Sequence, residues 1–359
     1  MQKAGPDDHI LASLAIKRRG KFVDLAHIRE KVSRDSGRSF SEKEVKELLE
    51  GLIMRKLVEE KAEEYTITEA GRGHFDKRWR EIRDKLNQDY LKIYRAKQYY
   101  PHVAEPLLEF CRDRWVSVFR LFTGKAWLQR KLGQKYITIK SRKDIEEWLD
   151  VHGIDFIPYI HKIGSDRPDW LVIDFDAGAK VDVVQTKKVV LVAAKVLEGY
   201  GVKLAVKFSG SRGFQVWVKF RPHELPKDYQ PKQLRAGKRD RNFFGFYADI
   251  VRFTEAKVSE RLPGLTTSET AKKEARAGKV LLDASIIKPM GDVRAPYSMH
   301  YKTGLISMPV ELNEIEGFKQ EQANPELVVK RYEKRGNEFL LEPADGADLF
   351  VDVVKWCKS

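Results

Sequence analysis

Two cysteines in 359 residues, Cys111 and Cys357, are too few and too far apart for a disulfide framework, and no Cys-x-x-Cys spacing exists from which a cysteine-built zinc site could be made. Long apolar runs are also missing. None approaches the ~20 residues that cross a bilayer, and the opening Met1-Gln2-Lys3-Ala4-Gly5-Pro6-Asp7-Asp8 has no apolar segment of the secretory kind. Internal repeats and low-complexity tracts are absent as well. The expectation from these absences is a protein of a reducing, cytoplasmic compartment with no membrane partner.

What is abundant is positive charge. The 67 Lys and Arg exceed the 53 Asp and Glu by 14, a balance that draws nucleic acid or triphosphates. Residues 1–85 hold 20 basic and 17 acidic residues, so most of the excess lies beyond them. A Lys- and Glu-rich surface also serves thermal stability, and charge by itself decides nothing. The 42% of hydrophobic residues is enough for a real core, and the length allows two or three domains.

Residues 1–85 read as a small domain. Ile10, Leu11, Leu14 and Ala15 recur at helical spacing over 9–19, a second helix is expected over 25–33, and Ser41 with Glu44 forms a capping box opening a third. Val45, Leu48, Leu49 and Ile53 give that helix an apolar face. Residues 56–60 and 64–68 then suit a hairpin. Three helices followed by a hairpin is the order of a winged helix, which grips duplex DNA with its third helix. Here that helix carries Glu42, Glu44, Glu47 and Glu50, so packing or protein contact is an equal alternative. A charged helix over 71–100 would connect to a second domain, 86–359, in which strands and helices mix.

The chemistry-bearing residues lie in three segments of that second domain. Alternation along Val172-Ile173-Asp174-Phe175-Asp176 puts Val172, Asp174 and Asp176 on one strand face. Two adjacent carboxylates repel unless cations lie between them, and oxygen ligands suit Mg²⁺ or Mn²⁺ in phosphoryl transfer. An Asp-x-Asp also caps turns or faces a buried arginine. The second segment, Lys207-Phe208-Ser209-Gly210-Ser211-Arg212-Gly213-Phe214-Gln215, places a glycine-bearing turn between two strands, with Lys207 and Arg212 beside it to attract an anion. The third holds Asp283 and then Arg294, Ser298, His300 and Lys302, which share one face if residues 294–302 are extended. Residues 221–242 form a Pro-, Lys- and Arg-rich loop, followed by a helix near 244–258.

Together these segments resemble the archaeo-eukaryotic primase superfamily. Asp174-Phe175-Asp176 looks like its first motif, Ser209 to Gln215 like its second, and Asp283 like its third. The runs Pro168-Asp169-Trp170-Leu171-Val172-Ile173-Asp174-Phe175-Asp176 and Arg276-Ala277-Gly278-Lys279-Val280 are similar to the polymerase domain of bacterial ligase D. Ala295-Pro296-Tyr297-Ser298 shares that likeness, while His300-Tyr301-Lys302-Thr303-Gly304-Leu305 is closer to the archaeal primase small subunit. The resemblance spans about residues 90–310. It implies an α/β fold of the α+β kind with mixed, antiparallel-rich sheets, and a primase or end-joining polymerase acting on a DNA template and primer with NTPs or dNTPs. By resemblance Asp174, Asp176 and Asp283 would hold two Mg²⁺ or Mn²⁺ ions, while Lys207, Ser209, Arg212, Gln215, Arg294, Ser298, His300 and Lys302 would hold the nucleotide. A ligase or another replication or repair protein would be a partner. One departure stands out: the family's second motif carries histidine where this chain has Gln215, which has no charge and moves no proton. A nucleic-acid-binding protein with an attenuated site is the alternative it leaves open.

Overall fold

The computed structural model describes residues 4–122, 124–232, 241–269 and 276–359. The chain divides into two compact units, one of Met1–Pro101, Arg120–Trp127 and Ile145–Ile154, the other of His102–Phe119, Leu128–Asp144 and Asp155–Ser359.

In the first unit the order is α1 (Pro6–Ala15), β1 (Val23–Asp24), α2 (Leu25–Ser36), α3 (Glu42–Met54), β2 (Val58–Lys61), β3 (Glu64–Ile67) and α4 (Glu69–Ile82). The short strands form a sheet in the order β1-β3-β2. Local chemistry sets these boundaries. Ser41 Oγ accepts from Glu44 N while the Glu44 carboxylate accepts from Ser41 N, the reciprocal bonds of the capping box, and Gly37 at φ 68° ends α2. Ile10, Leu11, Leu14, Ile28, Val32, Val45, Leu49 and Leu52 are buried, each contributing about 1.5–3 kcal/mol of hydrophobic stabilisation. The helix expected across 71–100 is not continuous. It breaks after α4 and a 3₁₀ turn, because the Asn87 side-chain oxygen takes the N–H groups of Asp89 and Tyr90 and starts a new helix.

That helix, α5 (Gln88–Cys111), contributes residues to both units, as do β4 (Val116–Phe122), β5 (Lys125–Gln129), α6 (Arg142–Asp150) and β8 (Gly153–Pro158); β6 (Lys131–Leu132) and β7 (Lys135–Tyr136) belong to the second alone. Within α5, Val103 leaves helical geometry one turn before Pro106, whose ring crowds the preceding turn. Residues 1–85, the expected first domain, all fall in the first unit, which runs on to Pro101.

The second unit is built around a five-stranded sheet. Its elements are β9 (Leu171–Ala177), α7 (Val183–Glu198), β10 (Ala205–Phe208), β11 (Phe214–Val218), α8 (Phe243–Arg261), β12 (Thr266–Thr267), β13 (Val280–Asp283), α9 (Pro325–Arg335) and α10 (Ala347–Lys358). The strand order is β10-β11-β9-β13-β12; only β12 and β13 run parallel, so the sheet is mixed and antiparallel-rich as expected. Helices α7 and α8 pack on it through buried Val189, Val190, Ala193, Leu197, Ile250 and Val251. Trp217 is fully buried among Phe110, Trp170 and Phe339, with ring centroids 4.9–5.9 Å away, and this aromatic cluster stiffens the sheet beside Val172.

A further expectation fails here. Residues 294–302 are not one extended strand: Ser298 N bonds to Ala295 O around Tyr297 at φ 64°, and a second tight turn closes His300 N onto Leu305 O at 2.8 Å. In the 221–242 loop, residues 233–240 lie outside the described residues. At its edges Arg241 donates to the carbonyls of Pro226, Lys227 and Tyr229, which holds the loop's own backbone, and Lys232 Nζ donates to that of Trp356, which ties the loop to α10.

Candidate active site

The register of the sheet aligns a row of polar residues across four strands. Lys207 on β10 lies opposite Gln215 on β11, Gln215 opposite Asp174 on β9, and Asp174 opposite Asp283 on β13. Directly opposite residues bring Cβ atoms within ~5 Å. Asp176 lies two residues along β9, on the same face as Asp174. The three motif segments, up to 109 positions apart, are thus joined by strand pairing.

Each member of the row has a defined partner. Gln215 Nε2 donates to Asp174 Oδ1 at 3.0 Å, and Gln215 Oε1 accepts from Trp217 Nε1 at 3.2 Å. An indole N–H can only donate, so Trp217 fixes the amide with its NH₂ toward the carboxylate. Burial pushes the Asp174 carboxyl up to about 6; the Gln215 bond opposes this, while Asp283 and Asp176 add to it. Asp176 Oδ2 takes Arg276 Nη2 at 2.9 Å, and Asp283 accepts from the backbone and hydroxyl of Ser285 at 2.7 and 2.8 Å.

Oxygen-only donors on neighbouring strands, repelling one another, fit a hard divalent cation in kind. Among the described residues no group of three His, Cys, Asp or Glu is already arranged around one. Asp176 faces Arg276 and Asp283 faces Ser285, each with carboxylate lone pairs beyond those bonds.

On the nucleotide side, the expected residues divide. Lys207 is 0% exposed, its Nζ donating to Ser307 Oγ at 2.6 Å; burial, then the Arg294 charge, drives its pKa well down. The lysine expected to attract an anion beside the turn is therefore an internal one. Ser209 Oγ accepts from the N–H groups of Ser211 and Gly213, so the hydroxyl closes its own turn. Gly210 at φ +86° and Gly213 are required there, since a Cβ on Gly213 would lie 2.4 Å from Phe175 O. Arg212 is exposed.

Arg294 and Ser298 turn inward together. Arg294 grips Asp155 through Nε and Nη2, both at 2.8 Å, and reaches Ser209 O through Nη1 at 3.1 Å. Ser298 Oγ, fully buried, accepts from Phe156 N and donates to Asp155 Oδ1. His300 Nδ1 accepts from Lys302 N and Thr303 N, which leaves its proton on Nε2 as a donor. Its Cβ lies beside Gly210, and Lys302 is exposed. Phe119 stacks on Tyr301 at 3.9 Å. The row of Arg294, Ser298, His300 and Lys302 on one strand face is thus replaced by two groups turned to Asp155 and two at a hairpin tip.

Asp155 is the residue that sequence reasoning passed over. A lone carboxylate in the otherwise apolar run Gly153–Pro158 was the available signal, because a charge inside a buried strand has to be paired.

With the fold and this acidic row in view, comparison with known proteins defines the class: the family model described as the primase-polymerase domain of LigD matches residues 128–339, and the chain belongs to that polymerase family. A solved structure, the polymerase domain of Mycobacterium tuberculosis ligase D in complex with DNA, superposes with a TM-score of 0.56 over 73% of this chain and 92% of that one; at 19% identity the likeness is one of fold. An uncharacterized protein of Methanocaldococcus jannaschii is 29% identical over 257 residues, 62% of this chain. The match covers 53% of that relative, so the chain spans about half its length. Among the described residues no helix is long and apolar enough to cross a membrane.

Proposed function

We propose that the chain is a template-directed nucleotidyltransferase, a primase or an end-joining repair polymerase. The observation that carries this reading is the cross-strand placement of Asp174 between Asp283 and Gln215, with Asp176 on the same face. Asp174, Asp176 and Asp283 would hold the divalent ions, Mg²⁺ or Mn²⁺. When bound, such ions favour ionisation of the attacking hydroxyl and neutralise charge on the departing pyrophosphate. The chain's own contribution is positioning. The 3′-hydroxyl of a primer, or of an initiating nucleotide, gives up its proton and bonds to the α-phosphorus of an NTP or dNTP as the α–β bridging bond breaks. Arg212, Lys302 and the His300 Nε2–H would receive the triphosphate, while Arg294, Ser298 and Ser209 hold the loops that present them. DNA as template and primer is supported by the DNA-bound structural relative, and a ligase or other repair factor remains a partner of this reading. Residues 1–85 would act as a winged-helix recruiter.

A second reading, nucleic-acid binding with an attenuated site, rests on Gln215. Its amide is spent on Asp174 and Trp217 and brings no charge to a phosphate. Primer extension on a labelled template with Mg²⁺ or Mn²⁺, with dNTPs and with NTPs, decides between them. No extension by the native chain would overturn the enzyme reading, and equal extension by the Asp174→Ala/Asp176→Ala variant would overturn the site. A primer-free reaction separates primase from repair polymerase.

A further inference from the structure

The first unit holds a cleft of about 930 Å³ that shares no residue with the acidic row. Its walls bring together Lys17, which follows α1, His27 and Lys31 of α2, and Arg120 and His152. Lys17 Nζ lies 3.3 Å from His27 Nε2, so its partner is another base, and among the described residues it makes no ion pair. The carboxylates of the lining have cation partners of their own, Arg18 and Arg34 among the lining residues themselves. Asp150 receives Lys97 at 2.8 Å and Arg18 at 3.5 Å, Glu30 lies 3.6 Å from Arg34, and Asp89 takes Lys92 at 2.8 Å.

The lining holds six Lys and Arg against four Asp and Glu, a surplus that draws an anion into a half-closed cleft. Burial and then neighbouring cations push Lys17 and His27 below their ordinary values, with Lys31, Lys21 and Lys97 acting on the first and Lys17 and Lys31 on the second. The donors are ammonium, imidazole and guanidinium, which match the several acceptor oxygens of a phosphate ester. The cleft also has a flat apolar edge. Phe122 is 43% exposed with the Arg120 guanidinium 4.8 Å from its ring, a surface on which a nucleobase stacks.

We propose that this cleft is a phosphate-ester site in which Lys17, His27, Lys31 and Arg120 take the phosphodiesters of a single nucleic-acid strand. The inference does not depend on polymerase activity. It is tested with the full chain, without metal or nucleotide, by fluorescence anisotropy of a labelled single-stranded oligonucleotide bearing a 5′-hydroxyl. Lys17→Gln/Lys31→Gln is expected to weaken binding about tenfold and to reduce the slope of log affinity against log salt by about 1.4, on ~0.7 per phosphate contact. Lys17→Arg/Lys31→Arg keeps most of the affinity, which separates lost charge from misfolding. Equal affinity for native and Lys→Gln chains overturns the proposal. So does a result in which inorganic phosphate raises the Tm of the native chain alone while oligonucleotide binding is unaffected, which would reassign the cleft to small anions.

Discussion

Arg294 and Asp155 meet as a fork on a fork, Nε to Oδ1 and Nη2 to Oδ2, both at 2.8 Å, with the carboxylate wholly buried. Asp155 also accepts from Ser298 Oγ and from the backbone of Tyr301, while Arg294 carries the contact on to Ser209 O. One carboxylate therefore ties the second-motif turn to the 298–301 segment. Removing one partner of such a buried pair strands the other's charge, so Asp155→Ala is expected to cost about 3–5 kcal/mol in chemical denaturation. Asp155→Asn keeps the shape and loses less. If the pair positions the nucleotide side, the Asn variant raises the KM for nucleotide by more than it lowers kcat; an unchanged KM beside a lowered Tm would leave the pair a purely structural one.

Trp217→Phe provides a test of the amide bridge. The phenyl ring retains most of the packing against Trp170 and Phe339 but removes the donor that orients Gln215. The lost hydrogen bond should cost about 1 kcal/mol of stability. Gln215→Ala removes the bond to Asp174 as well, and a fall in primer extension larger than that of Trp217→Phe is expected. Equal activity of all three chains would mean that the bridge does not set the carboxylate's position.

Gly213 is held against β9 so closely that a methyl group has no room, its Cβ falling 2.4 Å from Phe175 O. The obstacle is backbone and cannot rotate away. Gly213→Ala should therefore displace the turn between β10 and β11, lowering stability by about 2 kcal/mol or more and reducing extension as the row beside it shifts. Gly133→Ala, at a positive φ that Gly213 does not share but with nothing within 4 Å, is the control and should cost less.

These residues also mark how far the fold and the site were legible in sequence. The alternation at 170–176 predicts β9 to within a residue, and the Ser41 capping box starts α3 where expected, because both signals are local. Asp155 was not legible as a site residue, since its partner Arg294 lies 139 positions away and only the register of the folded chain joins them. The 294–302 segment misled for a related reason: its polar spacing suits a strand, but a non-glycine residue at φ 64°, Tyr297, turns the chain without a sequence signal. Gln215 was legible as a departure from the family, and its partners Asp174 and Trp217 emerged only with the side-chain geometry.

His152 offers a pH test that leaves the acidic row untouched. Burial, then the charges of Lys17 and Lys97, push its imidazole from 6.5 down to about 4. The unfolded chain therefore binds a proton between those values that the folded chain refuses, so stability falls as pH drops below about 6.5 and levels off near 4. The limiting slope for one proton is about 1.4 kcal/mol per pH unit, and partial exposure of the ring reduces it. His152 sits at φ 65°, which asparagine tolerates, so His152→Asn removes the titration without straining the backbone. Denaturant midpoints measured from pH 4 to 7 should show a shallower acid limb for this variant. Parallel curves for the two chains would mean that the imidazole titrates normally in the folded protein, and that the cations around it are farther from the ring or better screened than the structure has them.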